Sequence, residues 1–188
     1  MNITLLPNNT EIREKFISRF TLSWDDFKIE RKDFIDEMTN SGHIVDIDFY
    51  NQSHLWDIMP SSYSQVSFRD ALSALSSIDG DVVFMSENES HEGAALLIGE
   101  KDIVGFVAKA TAVELARLIE KEWFEVYELA ERGMFNPNPI LPEDLYVFDE
   151  KSNWFIAFTH EITDLDSQLN NPMKSAESRL CVMHFPTT

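Results

Sequence analysis

The sequence predicts an α+β fold in a single domain, 1–188, with a mainly helical part (1–79) followed by strands and one long helix (80–188). Three observations predict it. The run from Ala112 to Arg132 repeats apolar residues every three or four positions, the signature of a helix packed over a wide face. Leu145–Asp149 and Trp154–Thr159 are aromatic-rich and joined by four polar residues, Glu150-Lys151-Ser152-Asn153, as in an antiparallel hairpin. Helical patterns gather before the strand patterns instead of alternating with them, which is α+β order. At 188 residues the chain suffices for one well-buried core and is short for two domains.

Each element follows from local chemistry. Asn9 or Thr10 can cap a helix carrying Ile12, Phe16 and Phe20. Ser23 followed by Asp26 starts a second helix, which shows Phe27, Phe34, Ile35 and Met38 and stops near Asn40-Ser41-Gly42. His43 to Tyr50 alternates like a short strand. Pro60-Ser61-Ser62 marks a loop, and a third helix from Phe68 to Ser77 aligns Phe68, Leu72 and Leu75. Asp79-Gly80 is a turn before a buried strand, Asp81–Ser86. A loop from Glu87 to Gly93 follows, and Ala94–Ile98 with Ile103–Val107 reads as a hairpin. Thr111 and Glu114 make a capping box for the long helix, and Gly133 is a natural residue to end it. The prolines at 137, 139 and 142 force an extended path. A last strand, Leu180–Phe185, can join the hairpin, with Trp123 and Trp154 as core residues.

Charge is unevenly distributed. From Asp33 to Glu100 there are thirteen acids and one base, Arg69, which gives −12 of the chain's formal −18, whereas Met1–Lys32 carries +1. Such an excess opposes compaction by self-repulsion, so it calls for a basic partner or for a role in solubility. Nucleic acid is a poor partner, because phosphate binding needs concentrated Lys and Arg. Cys181 is the single cysteine, which excludes an intrachain disulfide and fits a reducing compartment. The opening MNITLLPNNTE has neither a basic n-region nor an apolar run, and the expected location is cytoplasmic, with no membrane association.

Catalytic patterns are weak. No glycine-rich phosphate loop, no GxSxG and no i, i+4 histidine pair is present, so neither a cofactor nor a metal site is expected. Cys181 lies among Leu180, Val182 and Met183, a setting for an inert core thiol. The enzyme alternative, hydrolase-like, gathers Asp149, His160 and Glu161 at one sheet edge as an acid–base cluster. The plainer reading of that stretch is a strand terminus.

The string Pro142-Glu143-Asp144-Leu145-Tyr146-Val147-Phe148-Asp149, followed by Trp154 and by Phe158-Thr159-His160-Glu161, resembles a family of uncharacterised bacterial proteins, some encoded beside polymorphic toxins. The likeness covers about Gly80 to the C-terminus. The chain also resembles, as a class, the immunity proteins of contact-dependent inhibition systems, which are small, acidic, cofactor-free and α+β. That resemblance implies a protein without enzymatic activity that binds and neutralises a basic toxin domain, such as a nuclease. With the acidic window, the expected contacts are Asp46, Asp48, Asp57, Glu87, Glu89 and Glu92 around Trp56, a candidate aromatic anchor. Asp33, Asp36 and Glu37 fit the solvated face of a helix.

Overall fold

Residues 3–6, 9–87, 106–131, 141–142, 144–162 and 179–186 are described by the structure, a computed structural model. The elements are β1 (Thr4–Leu5), α1 (Asn9–Phe20), α2 (Trp24–Glu30), α3 (Lys32–Asn40), α4 (Ile47–Gln52), β2 (Ser64–Ser67), α5 (Phe68–Ser76), β3 (Asp81–Ser86), β4 (Val107–Thr111), α6 (Ala112–Glu131), β5 (Leu145–Phe148), β6 (Phe155–Ile162) and β7 (Arg179–His184). The strands make one sheet in the order β1-β4-β3-β5-β6-β7-β2, with every neighbouring pair antiparallel. This is the α+β architecture that the sequence predicts. Among the described residues, no helix is long and apolar enough to cross a membrane.

Strand alternation builds two cores, one on each side of the sheet. Val82, Phe84, Leu145, Val147, Ile156, Phe158 and Cys181 point to the layer of α5 and α6, where they meet Phe68, Leu75, Leu115, Ile119 and Trp123. Val83, Met85, Tyr146, Phe148, Phe155, Ala157 and Val182 point to the layer of α1–α4, against Phe16, Phe20, Phe27, Leu55, Ile58 and Met59. With both faces covered, β5 is buried at every position, which explains its unbroken apolar run. Full burial of each such side chain stabilises by about 1.5–3 kcal/mol. The sheet's edges are blunted: β1 has two residues, and β2 is the mostly exposed polar strand Ser-Gln-Val-Ser.

Local chemistry sets the helix boundaries. Glu114 N–H donates to Thr111 Oγ1 at 3.4 Å while that hydroxyl donates to Glu114 Oε2 at 3.0 Å, the predicted capping box. Ser67 and Asp70 repeat the arrangement at α5, and Ser23 with Asp26 at α2. Gly80, at φ +90°, makes the predicted turn into β3.

Several expectations are corrected. The helix predicted from Ser23 to Asn40 is two helices, because Arg31 leaves helical geometry (φ −103°, ψ 22°) while its guanidinium donates to the Met59 carbonyl. His43–Tyr50 is not a strand. Asp46 accepts the amides of Asp48 and Phe49, both at 3.0 Å, and so caps α4, overriding the alternation of side chains. The helical part also supplies both edge strands, β1 and β2, neither of which is announced in the sequence. Trp154 is half-buried, stacked on Phe185 at 5.4 Å at the margin of the core. The predicted hairpin over 94–107 and the helix end at Gly133 lie outside the described residues, apart from Phe106 and Val107.

Candidate functional site

Two features of the α1–α4 side stand out. The first is a cluster of imidazoles and carboxylates at one end of the sheet. Glu87 follows β3, Asp144 precedes β5 and His160 lies near the end of β6; these three strands are antiparallel neighbours, so the positions meet at the same end. Alternation aims Glu87, two after Met85, and Asp144, two before Tyr146, at the α1–α4 layer. His160 breaks the rule. Counting from Ile156 and Phe158, it should face α5 and α6, yet its ring meets His54 and Trp56. The register shift between Phe158 and Ile162 accounts for the reversal, since a bulge re-aims the side chains beyond it.

The fourth member arrives from the segment after α4. Leu55, Ile58 and Met59 are buried and pin this segment to the sheet, leaving His54, Trp56 and Asp57 on its outer side. His54 Nδ1 lies 2.9 Å from Glu87 Oε2 and 3.8 Å from Asp144 Oδ2. The second Glu87 oxygen accepts the Leu55 amide at 2.6 Å. Asp144 Oδ1 accepts the His160 amide at 2.9 Å, and His160 Nδ1 sits 2.9 Å from Asp144 Oδ2. Trp56 stacks on His54 with centroids 5.5 Å apart and planes 9° apart.

Electrostatics follow from this crowding. Burial lowers the pKa of His54, but the Glu87 hydrogen bond and the charges of Glu87, Asp144 and Asp57 outweigh it and hold His54 above its ordinary value. Burial raises Glu87 against the opposing hydrogen bonds of His54 and the Leu55 amide. Asp57 is also raised, by burial first, with His54 opposing, although its side chain still reaches solvent. Beneath them, the Tyr146 hydroxyl is fully buried and makes no well-formed hydrogen bond among the described residues, although the Trp56 backbone acts on it at longer range. Burial, then the charges of Glu87 and Asp144, push its pKa well above the usual value.

The second feature is a surface. α2–α4 and their connections expose Ile29 (76%), Phe34 (41%), Ile44 (80%) and Ile47 (44%). Around them Asp25, Asp26, Glu30, Asp33, Asp36, Glu37, Asp46 and Asp48 are all exposed. A cleft of about 370 Å³ adjoins this surface, lined by residues that include Phe27, Phe34, Phe49, Trp56 and Asp57. It links the surface to the cluster, because Trp56 borders both.

The candidate residues thus fall in different places. Asp48 lies in the first turn of α4, after the capping Asp46, while Trp56 and Asp57 line the cleft. Glu87 is not a surface charge but an anchor, 11% exposed and holding His54 and Leu55. Glu89 and Glu92 lie outside the described residues. Asp33, Asp36 and Glu37 occupy the solvated face of α3, as expected, with Asp36 paired to Lys32 at 3.4 Å. Asp149 and His160 do not meet, since they lie at opposite ends of the β5–β6 hairpin. Asp149 is occupied by the turn, accepting the Asn153 and Trp154 amides. Glu161 is exposed, and Asp144 is the carboxylate that pairs with His160. His54 and Asp144 are the members that sequence reasoning missed. The available signal was a carboxylate two residues before a buried tyrosine, and it becomes informative only once the strand pairing is known.

Comparison with protein-family models, with curated proteins and with solved structures returns no match to this chain.

Proposed function

We propose that this protein acts by binding, as an immunity protein that captures a basic toxin domain, such as a nuclease, on the surface of α2–α4. The observation that carries the reading is the set of exposed apolar side chains Ile29, Phe34, Ile44 and Ile47 standing among eight exposed acids. An apolar centre with a charged rim is the anatomy of a protein interface, and an acidic rim selects a basic partner. The cleft beside Phe34, with Arg31 and Asp57 among its lining residues, supplies a pocket for an anchoring side chain of that partner. The resemblance of the Pro142–Glu161 string to proteins encoded beside polymorphic toxins supports the same class of partner.

The test is co-expression with the product of the neighbouring toxin gene, followed by binding measurements on the purified proteins. Wild-type protein restores growth and associates quickly at low salt, with a rate that falls steeply as salt is raised. The double variant Phe34→Asp/Ile44→Asp keeps the wild-type melting temperature and fails to protect. Growth inhibited equally with and without the wild-type protein overturns the proposal.

A further inference from the structure

We propose that His54, Asp144 and His160 form a binding site for one divalent transition-metal ion of the zinc type, with Glu87 as the carboxylate that holds His54 in place. One donor atom from each of the first three residues lies within 4.8 Å of the others. Asp144 Oδ2 lies 3.8 Å from His54 Nδ1 and 2.9 Å from His160 Nδ1, and Glu87 Oε2 lies 2.9 Å from His54 Nδ1. Ligands held tetrahedrally at about 2.0–2.2 Å from a zinc ion stand about 3.4 Å from one another, so the separations from Asp144 to the two imidazoles bracket the required one. Closing the site therefore takes side-chain adjustments of about 1–1.5 Å, within the reach of ordinary χ flexibility.

The donor set selects the ion. Two imidazoles suit zinc, cobalt, nickel and copper, whereas calcium and magnesium demand shells made wholly of oxygen. The Asp144 carboxylate, with Glu87 nearby, offsets the charge of a divalent ion, and a neutral imidazole is the form of histidine that ligates.

Three further observations are independent of those donors. The bulge between Phe158 and Ile162 turns His160 away from the face that its strand position dictates, and bulges of this kind recur next to functional sites. The Tyr146 hydroxyl, fully buried without a well-formed hydrogen bond among the described residues, lies in the field of Glu87, Asp144 and Asp57, beneath the donors. Support for the ligands is already built: Glu87, fixed by the Leu55 amide, holds His54, and the His160 amide fixes Asp144. Such outer contacts orient metal ligands in advance of binding. An ordinary ion-pair network explains the short His–carboxylate distances, but not the redirected histidine. This inference does not depend on the partner reading, since the site lies under the sheet end and the proposed interface lies on α2–α4.

Protein stripped with a chelator and then titrated with zinc alone by calorimetry tests it. The expected result is one ion per chain, displaced at least tenfold in affinity by His54→Gln and by His160→Gln, with His184→Gln unchanged and calcium and magnesium giving no heat. Cobalt alone provides a readout that needs no variant. The intense visible absorption of a four- or five-coordinate cobalt ion supports the site, and the weak absorption of a six-coordinate ion overturns it. Absence of zinc binding to the wild type overturns it as well, as does binding that His54→Gln and His160→Gln both leave intact. A variant that does not fold is replaced in the comparison by zinc-induced quenching of wild-type tryptophan fluorescence, because Trp56 stacks on His54; no quenching at saturating zinc counts against the site.

Discussion

The two faces of the sheet are covered by different means. On one, α5 and α6 lay regular apolar stripes over Phe84, Val147 and Phe158, and Trp123 stacks on Phe68 at 4.8 Å to join the two helices. On the other, four short helices and an irregular segment cover a core rich in aromatic rings, in which Phe16 touches Phe20, Tyr146, Phe148 and Phe155. Short helices spend a larger share of their residues at ends, so this layer needs caps, breaks and connections, and each brings polar side chains with it. The imidazole–carboxylate cluster, the cleft and the exposed isoleucines all belong to this side. Chemistry collects where regular packing is interrupted, on a scaffold that the opposite face keeps rigid.

Both faces should nevertheless be equally necessary to the fold. Phe16→Ala and Trp123→Ala should each cost about 3–5 kcal/mol in urea denaturation, because each leaves a large void in a close-packed core. If either truncation leaves the unfolding midpoint in place, the two-core description fails on that face. A sharper contrast lies within the acidic residues. Glu87→Ala should cost about 1–3 kcal/mol, since it strands the Leu55 amide and the ring of His54. Asp33→Asn and Glu37→Gln on α3 should each stay within about 0.5 kcal/mol. Equal effects would dissolve the distinction between structural and surface acids.

The smallest effect is on pH. The folded-state pKa of His54 stands above the ordinary 6.5, so the fold binds that proton more tightly than the unfolded chain does. The resulting stabilisation is fully present below 6.5 and is lost as pH rises through the folded-state value. In metal-free protein, thermal melts should show stability declining over that interval in the wild type, and less so in His54→Gln. Parallel profiles would mean that His54 gains nothing from Glu87.

The α5/α6 face was open to reading from the sequence because its elements obey single rules. The capping box at Thr111, the periodicity of Ala112, Leu115, Ala116, Ile119 and Trp123, and the hairpin of β5 and β6 each needed only neighbours in the chain. The other face depends on contacts between distant residues. Asp46 reads as one beat of an alternation until it is seen to hold two amides of α4. Glu87 reads as one more acid in a charged loop until His54 arrives from a segment far away in the chain. His160 reads as a strand terminus because a bulge leaves no mark in composition, and the register shift that turns it exists only against β7. The carboxylate that the sequence offered to His160, Asp149, was near in type and wrong in place, because strand pairing decides which end of a hairpin a residue occupies.

Cys181 gives this architecture a clock. Its thiol is buried beneath α5 and α6, and burial pushes its pKa up to about 12. At neutral pH, then, only about one part in 10⁵ is thiolate, and the folded protein hides even that from solvent. A thiol reagent can therefore react only during those moments when β6, β7 and β2 part. The rate of labelling counts these openings one molecule at a time, on the side of the sheet away from the cluster and the acidic surface, with no engineered probe.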